Sequence, residues 1–464
     1  MKRFSKVFLV LVALILLGYF GYKEIKKSSS LLGKVHVDAN SAIKIGLQEI
    51  KETIVLDALT SPIYYYERAK FSGSDGDDID KGIDLSPYNL VLFTMPNVKN
   101  TFFSTLNIRN SEAFEEYIAR EIEKKSATVE KTANGDYRFA KIASSKIVLA
   151  WNGKQLVMAM APALHIGACH TIFKDILTQG KTITDGSHEL IKSLADHDGH
   201  VVFITGNSSL ALDFEDGKAV LAGNLLTETP QKFPPEITVE TTTNASFQVY
   251  FDTYFENPLN KKEIAATMAR IAFFQKNALN SDEIADRTNG YFSLAIAGTT
   301  KQTDTIITFG YDANFEKVEE RTLREKQVPQ VHINLGAEQL RLKDYLIERK
   351  AIDSSGIFTP FPLYDLYTKD GPRYTVFDTF KGAISTQDQI SSNFFACRVD
   401  FQKLNSDIDV PQLKAYFQNL EKLKLFAAQK ERNRVAVSGE LSATNPEINI
   451  LSQLVLKRQL DSIQ

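Results

Sequence analysis

A long apolar run near the start of the chain constrains this protein more than any other feature of its sequence. Residues 7–22, VFLVLVALILLGYFGY, carry no charge and follow Lys2, Arg3 and Lys6. As a helix they would extend about 24 Å, against about 30 Å for the hydrocarbon core of a bilayer, and the flanking lysines can reach the headgroups. The sequence therefore predicts a transmembrane helix over residues 7–22.

The same positively charged start is also typical of a cleaved signal peptide. The run ends in aromatic residues and continues into KEIKK, whereas signal peptidase needs small side chains at that point. We therefore expect residues 1–30 to form an uncleaved signal-anchor and a flexible exit, with cleavage as the alternative.

The orientation of this anchor does not follow from its flanks, because both carry three basic residues. A single N-terminal anchor before a long domain usually exports that domain. We therefore predict a single-pass protein of the cytoplasmic (inner) membrane whose soluble part lies in the periplasm.

Beyond the anchor the chain has the composition of a folded protein. Of its 464 residues, 43% are hydrophobic and 24% are charged, which is enough for more than one core. The clearest break is LTETPQKFPPEI, where three prolines disfavour both helix and central strand. We predict two domains, over residues 31–235 and 236–464. The net charge of -3, without a basic stripe, argues against nucleic acid as a partner.

Patterns of strand and helix alternate along the chain and predict an α+β fold. In the first domain a strand over 42–47, a helix over 111–125 and several hairpins follow the order of a ferredoxin-like layer. In the second we predict a helix over 260–279, a hairpin over 290–313 and a helix over 410–430. We expect antiparallel sheets with helices packed on one face, in two ferredoxin-like-derived units.

The common catalytic motifs are missing from the sequence. It contains no G-x-S-x-G, no H-E-x-x-H and no G-x-x-x-x-G-K-[ST]. One S-x-x-K match, from Ser41 to Lys44, runs into a strand pattern, and we interpret it as chance. The acidic stretch over 73–84 offers oxygen ligands, but its spacing does not fit a calcium loop, so we interpret it as a solvated loop. We predict no metal and no cofactor.

Histidine side chains provide the main alternative to a role without catalysis. His165 and Cys169 stand at i, i+4, a spacing that zinc sites use, although their apolar neighbours favour a packed helix. His170 follows directly, and His197 and His200 flank a turn. An envelope hydrolase using the His165 to His200 region is the alternative function, and it requires these histidines to converge on one pocket.

The two cysteines, Cys169 and Cys397, could form a disulfide in an oxidising compartment. Disulfide geometry is demanding, and the two lie in different predicted domains. We expect two unbridged thiols.

The candidate binding site is the stretch GIFTPFPLYDLYTKDGPRY, residues 356–374. Phe358, Phe361, Tyr364 and Tyr367 crowd a segment whose three prolines prevent regular structure throughout. Aromatic side chains on such a segment can form a surface for a peptide, a glycan or a partner protein. Alternatively, they pin the loop to the core.

Five short stretches occur in a particular order along the chain: VDANSAIKIGLQEI, KGIDLSPYNLVLFTM, LALDFEDGKAVLAG, GYFSLAIAG and VSGELSATNPEINILSQL. In this order they resemble landmarks of a group of uncharacterised envelope proteins of Bacteroidetes-type bacteria, over most of residues 36–456. The resemblance implies an exported, membrane-associated α+β protein without an established activity. This chain lacks the lipid-attachment cysteine that many such proteins carry, so its anchorage would depend on residues 7–22.

The missing motifs, the hairpin-rich pattern and the resemblance favour one function. We predict a membrane-anchored, exported envelope protein that binds or scaffolds without catalysis. Its expected partners are the membrane, through residues 7–22, and another envelope protein or a glycan.

Overall fold

The computed structural model of the chain describes residues 26–69, 82–84, 88–125, 128–131, 136–141, 146–161, 166–227, 233, 236–311, 317–337, 341–382, 384–408, 414, 417–431 and 433–455. The predicted transmembrane run over 7–22 and most of the acidic stretch over 73–84 lie outside these residues. Among the helices that are described, none is both long enough and apolar enough to cross a membrane.

The chain divides into two compact units. The first unit comprises Met1–Asp216 and Glu447–Gln464, and the second comprises Gly217–Pro446. The sequence-based boundary at residue 235 differs from this division, because the proline-rich break lies inside the second unit. The second unit is therefore an insertion into the first.

The strands, numbered along the chain, are β1 (Ser41–Ile45), β2 (Leu90–Met95), β3 (Val98–Asn107), β4 (Thr128–Lys131), β5 (Arg138–Lys141), β6 (Ile147–Trp151), β7 (Gln155–Met160), β8 (Val201–Thr205), β9 (Ser208–Glu215), β10 (Lys218–Leu226), β11 (Ile237–Thr242), β12 (Phe247–Asp252), β13 (Tyr291–Tyr311), β14 (Lys317–Gly336), β15 (Tyr367–Asp370), β16 (Tyr374–Asp378), β17 (Thr386–Ser391), β18 (Phe395–Asp400), β19 (Leu420–Glu431) and β20 (Arg434–Ala443).

The helices, numbered in the same way, are α1 (Leu47–Thr60), α2 (Pro62–Ala69), α3 (Ser111–Lys125), α4 (Ile166–Leu177), α5 (Glu189–Asp196), α6 (Pro258–Ala269), α7 (Ala272–Lys276), α8 (Ser281–Asp286), α9 (Leu342–Glu348), α10 (Phe401–Asp407) and α11 (Ile450–Val455). The mixture of helices with large antiparallel sheets confirms the predicted α+β class. The helix predicted over 111–125 is confirmed as α3.

In the first unit the strands form an antiparallel sheet in the order β9-β8-β1-β2-β3-β7-β6-β5-β4. A ferredoxin-like layer would place β1 parallel to a later strand after one helical crossover. Here β1 pairs antiparallel with both β2 and β8, and two helices instead of one follow it. The ferredoxin-like order is not found among these strands.

The sheet of the first unit carries helices on both faces. Along β6 and β7, Val148 and Val157 face a core formed with α4 and α5, while Leu149 and Leu156 face a second core formed with Phe114 of α3. Neighbouring residues of a strand point to opposite faces. The prediction that helices pack on one face is therefore wrong for this unit.

In the second unit the antiparallel order is β10-β20-β19-β18-β12-β13-β14-β16-β15. Helices α6 to α10 contribute to cores on one face of this sheet. The other face is covered by a separate two-stranded sheet of β11 and β17, which packs around Tyr250, Tyr291 and Tyr374. In this unit the helices do lie on one face, as predicted.

The two units share a pattern of strand pairing. In the first unit β1 lies between β2 and β8, with β3 beyond β2 and β9 beyond β8. In the second unit β12 lies between β13 and β18, with β14 beyond β13 and β19 beyond β18. The same antiparallel arrangement is thus built twice.

Three predictions for the second unit differ from the structure. The predicted hairpin over 290–313 is a single long strand, β13, whose partner is β14. The predicted helix over 260–279 is broken into α6 and α7. The predicted helix over 410–430 contains strand β19, because β18 and β20 offer hydrogen-bonding edges on both of its sides and tertiary pairing overrides helix propensity.

Candidate functional site

The second unit contains a cavity of about 450 Å³ between helices α6–α9 and the sheet. Its walls are formed almost entirely by apolar and aromatic side chains of both layers. Cavities of this size, with mostly hydrophobic walls, are typical of sites for small ligands. This cavity is the candidate functional site.

Four neighbouring strands supply the floor of the cavity. Phe251 of β12 lies opposite Phe292 of β13, and their rings stack with centroids 5.0 Å apart. Phe292 lies opposite Leu335 of β14, and Ile333 of β14 lies opposite Phe377 of β16. Cross-strand neighbours point to the same face, so the alternating pattern of each strand produces one continuous apolar floor.

The helices α6 and α7, which cover this floor, bury few of their side chains. Helix α6 buries only Asn260 and Ala265, and α7 buries none of its residues. Ile264, Met268 and Phe273, which line the cavity, remain half-buried. A helix that covers a sheet normally buries an apolar stripe, whereas here part of that stripe faces open space.

The predicted aromatic segment supplies another wall of the cavity. Phe358 lies 6.3 Å from the ring centroid of Phe273 and 5.2 Å from that of Phe377. Phe361 also lines the cavity. Phe358 and Phe361 both pack against the core of the second unit. They therefore line the cavity and also attach the aromatic segment to the core.

The two tyrosines of the prediction lie outside the cavity. Tyr364 lies 6.1 Å from Phe361 between ring centroids and lines a second, polar pocket of about 360 Å³. Tyr367 belongs to β15, where its hydroxyl donates to Asp365 over 3.4 Å and Lys381 lies over its ring. The structure therefore places two of the four candidate residues, Phe358 and Phe361, in the cavity.

The polar pocket meets the apolar cavity at Phe361, which lines both. Asp304, Asp353 and Asp365 also line the polar pocket, with Lys326, whose Nζ lies 3.3 Å from Asp304 Oδ2. Carboxylates outnumber cations around it. The pocket therefore disfavours a negatively charged group.

A buried ionic cluster occupies the opposite face of the same sheet. His332 alternates with the cavity residue Ile333 along β14, and its Nδ1 lies 2.5 Å from Asp378 Oδ1. Its Nε2 lies 2.9 Å from Oε1 of Glu240 on β11, and Asn334 donates to the same oxygen over 3.0 Å. The cluster ties the two-stranded sheet to the main sheet.

The protonation states of His332 and Glu240 indicate that the cluster is a structural ion pair. Burial alone would lower the pKa of His332, but the hydrogen bonds to Asp378 and Glu240 raise the pKa to about 9. The bond from His332 lowers the pKa of Glu240. At neutral pH the imidazolium therefore donates from both nitrogens and cannot act as a general base.

The histidines of the predicted hydrolase region have separate partners. His170 contacts the hydroxyl of Tyr137 at 3.0 Å through Nδ1. His197 Nδ1 lies 2.8 Å from Ser193 O of α5, the helix that ends just before it. His200 contacts Thr53 through Nε2 at 2.9 Å. Each of these three rings has contacts of its own, and His165 lies outside the described residues.

The remaining candidates from the sequence are the two cysteines and the S-x-x-K match, and each lies among packing or hydrogen-bonding contacts. Cys169 is buried in the first unit, Cys397 is half-buried in the second, and both are free thiols. On strand β1, Ser41 contacts Thr94, while Lys44 donates to the carbonyl of His197 over 2.8 Å. Within the described part of the chain, no group of three or more His, Cys, Asp or Glu side chains is arranged to hold a metal ion.

The sequence analysis did not predict most of the residues that line the cavity. The floor residues stand in ordinary alternating strands, and the alternation marks a buried face without distinguishing a filled core from a hollow one. The available signal was the repeated phenylalanine in IAFFQKNAL, close to the broken part of the predicted helix over 260–279. No family model, no curated protein and no solved structure matches this chain.

Proposed function

We propose that this chain is a membrane-anchored, exported envelope protein whose second unit binds an amphiphilic molecule by its aliphatic chain. The observation that carries the proposal is the cavity of about 450 Å³, whose apolar walls are half-buried on the side of α6 and α7. Bound hydrocarbon would complete the burial of those walls. The anchor rests on the apolar run over 7–22.

The size of the cavity sets the size of the ligand. At about 30 Å³ per small group, the share of liquid volume that one water takes, a space of 450 Å³ holds about 15 groups. A chain of ten to fifteen methylenes fits. Burying ten methylenes supplies on the order of 8 kcal/mol before the cost of ordering the ligand is subtracted.

The polar pocket next to Phe361 suits the head group of the same molecule. Its three aspartates favour a neutral hydroxyl-rich or positively charged head group over a carboxylate or phosphate. A sugar head group is compatible with the glycan expected from the sequence. The proposed ligand is therefore an amphiphile without a negative head group.

The hydrolase alternative has weaker support. It requires His170, His197 and His200 to share one pocket, and their partners belong to different local structures. The ring of His332, which does meet two carboxylates, is protonated at neutral pH. A binding role without catalysis agrees better with these contacts.

We expect Thr267→Trp to weaken binding of decyl glucoside by about tenfold or more, because the larger side chain fills space in the cavity that Thr267 lines. The measurement is calorimetric titration of the purified full chain below the micellar concentration. Thr267 is exposed on α6, so the substitution removes no core contact.

The matched control is Ala266→Trp, at the adjacent exposed position of α6 that does not line the cavity. It should bind decyl glucoside as the natural chain does. Decanoate should bind more weakly than decyl glucoside. Equal binding by both tryptophan variants would contradict the assignment of the cavity, and tighter binding of decanoate would contradict that of the head-group pocket.

A further inference from the structure

The first unit carries an exposed apolar surface on helices α1 and α2. Five large apolar or aromatic side chains there have exposed fractions of 58 to 73%: Val55, Leu56, Leu59, Ile63 and Tyr66. Residues four apart share a face of a helix, as Val55 and Leu59 do, and so do residues three apart, as Ile63 and Tyr66 do. We call these five residues the α1–α2 surface.

The opposite side of α1 is the one that packs against the rest of the first unit. Asp57 is buried there, and its Oδ2 accepts hydrogen bonds from the hydroxyl of Tyr65 and from the backbone N–H of Asn449. Helix α1 is therefore held in part through a polar contact, and it exposes Val55, Leu56 and Leu59 while Ile50 and Ile54 are half-buried. In water this arrangement is the reverse of the usual one, which indicates that an apolar phase covers the α1–α2 surface.

The location of Lys27, which follows the apolar run in the sequence, identifies that phase. Lys27 is buried, and its Nζ lies 3.2 Å from Glu49 Oε1 in the first turn of α1 and 3.0 Å from Asp198 Oδ1. Residues 1–25, which contain the apolar run, precede this point. At 1.5 Å per residue, Val55 and Leu59 lie only about 9 and 15 Å along the axis of α1 from Glu49.

We propose that the α1–α2 surface docks into the lipid bilayer beside the anchor formed by residues 7–22, and this inference rests on the membrane anchoring in the proposed function. Amphipathic helices lie in the interface with their apolar side buried among the lipid chains, where Tyr66 also suits the headgroup boundary. The bilayer removes the α1–α2 surface from water. The first unit is thereby held with α1 along the membrane.

The test uses the full chain in phosphatidylcholine vesicles with and without bromine on the acyl chains, since bromine quenches tryptophan on contact. The natural chain has one tryptophan, Trp151, which is buried and provides the background. In the Leu59→Trp variant we expect bromine to remove about half of the added emission, because an interfacial helix lies about 5–10 Å deep. The control is Phe102→Trp on β3, a partly exposed position of the same unit, which should not be quenched.

Adding Leu56→Glu and Ile63→Glu to the Leu59→Trp chain should reduce the quenching to that of the Phe102→Trp control. Both positions are exposed, so the changes do not disturb a core. A chain that floats with the vesicles but shows no quenching at position 59 would overturn the docking while leaving the anchor intact, as would coverage of the surface by a second copy. A chain that does not float would overturn the anchor and the docking together, and titration with decyl glucoside tests the cavity separately.

Discussion

Single-residue alternation along β14 separates two chemically opposite sites. Ile333 and Leu335 line the apolar cavity, while His332 and Asn334, one position away in each case, belong to the ionic cluster on the other face. The strand thus carries hydrocarbon contacts on one side and paired charges on the other. A shift of β14 by one residue in its pairing register would turn His332 into the cavity without its partners and would remove Ile333 and Leu335 from the cavity.

The raised pKa of His332 predicts how stability depends on pH. Its usual value is 6.5 and its value in the folded chain is about 9, so folding favours the protonated ring. Protonated His332 therefore stabilises the folded state by an amount on the order of 3 kcal/mol. This contribution is fully present below pH 6.5 and is lost as the pH rises through 9. Urea unfolding followed by circular dichroism should therefore show a falling midpoint from pH 6.5 to 10.

The variant His332→Gln should remove most of this pH dependence, whereas His188→Gln, at an exposed position of the first unit, should keep it. Fluorescence of Trp151 follows the first unit in the same samples. A midpoint that falls equally in both variants would assign the pH dependence to other groups.

A glycine in the predicted landmark KGID fixes the start of α3. Gly82 has a φ of 66°, and a Cβ there would collide with the carbonyl oxygen of Asn110 and the backbone of Phe114. Its own carbonyl accepts hydrogen bonds from Arg109 and Asn110 over 2.8 and 3.0 Å. No other residue type fits this contact without displacing the helix.

Gly82→Ala should lower the free energy of unfolding of the first unit by about 2 kcal/mol or more, because the strain of a positive φ adds to the collision. The ring of Phe114 lies 5.8 Å from that of Trp151, so tryptophan fluorescence in urea reports the change. Gly153→Ala is the control, since a Cβ there meets nothing closer than 4.0 Å. Equal midpoints for the two variants would exclude this role for Gly82.

Elements that cover the cavity differ in how firmly they are held. Helix α9 buries Leu342, Tyr345 and Leu346, while α6 and α7 together bury two residues. Few buried apolar contacts make local opening inexpensive. We therefore expect the proposed ligand to enter through the α6–α7 cover.

We expect backbone amides in α6 and α7 to exchange hydrogen faster than those in α9 in the free protein. Decyl glucoside should slow exchange in α6 and α7, because the ligand supplies the missing apolar contacts. Hydrogen exchange measured by mass spectrometry resolves these segments. Protection of α6 and α7 that is already as strong as that of α9 without ligand would contradict an entry route at this cover.

The whole chain is organised as one unit inserted into another. Gly217 and Pro446 lie in contact at the base of the second unit, where the N–H of Ala443 also donates to the carbonyl of Gly217 over 2.7 Å. Residues after 446 return to the first unit, where Asn449 donates to the carbonyl of Phe214 over 2.9 Å. The second unit thus starts and ends at one point.

Ending the chain at residue 446 should destabilise the first unit by about 1–3 kcal/mol and leave the cavity functional. The truncation removes the Asn449 N–H from the buried carboxylate of Asp57 and Ser452 from Tyr65, and an unsatisfied buried acceptor is costly. Trp151 fluorescence measures the loss, and titration with decyl glucoside is the control. Weaker binding of decyl glucoside, together with unchanged stability of the first unit, would contradict this role of the C-terminal residues.

The sequence by itself determined the local elements whose side-chain pattern is unambiguous. The helix α3 follows from its early acids, late lysines and apolar stripe. Aromatic residues among prolines are also conspicuous in a sequence, and of the four selected in this way Phe358 and Phe361 line the cavity while Tyr364 and Tyr367 do not. These features depend on neighbours within a few positions, which a sequence records directly.

Only the tertiary structure decided which strands pair, where the units divide and where the core is hollow. Strand β19 forms because two distant edges, β18 and β20, satisfy its backbone, although its residues suit a helix. The ionic cluster joins Glu240 to His332, which are 92 positions apart. Such contacts depend on the balance of long-range pairing against local propensity, and a cavity depends on the volume left between packed layers, which no local pattern encodes.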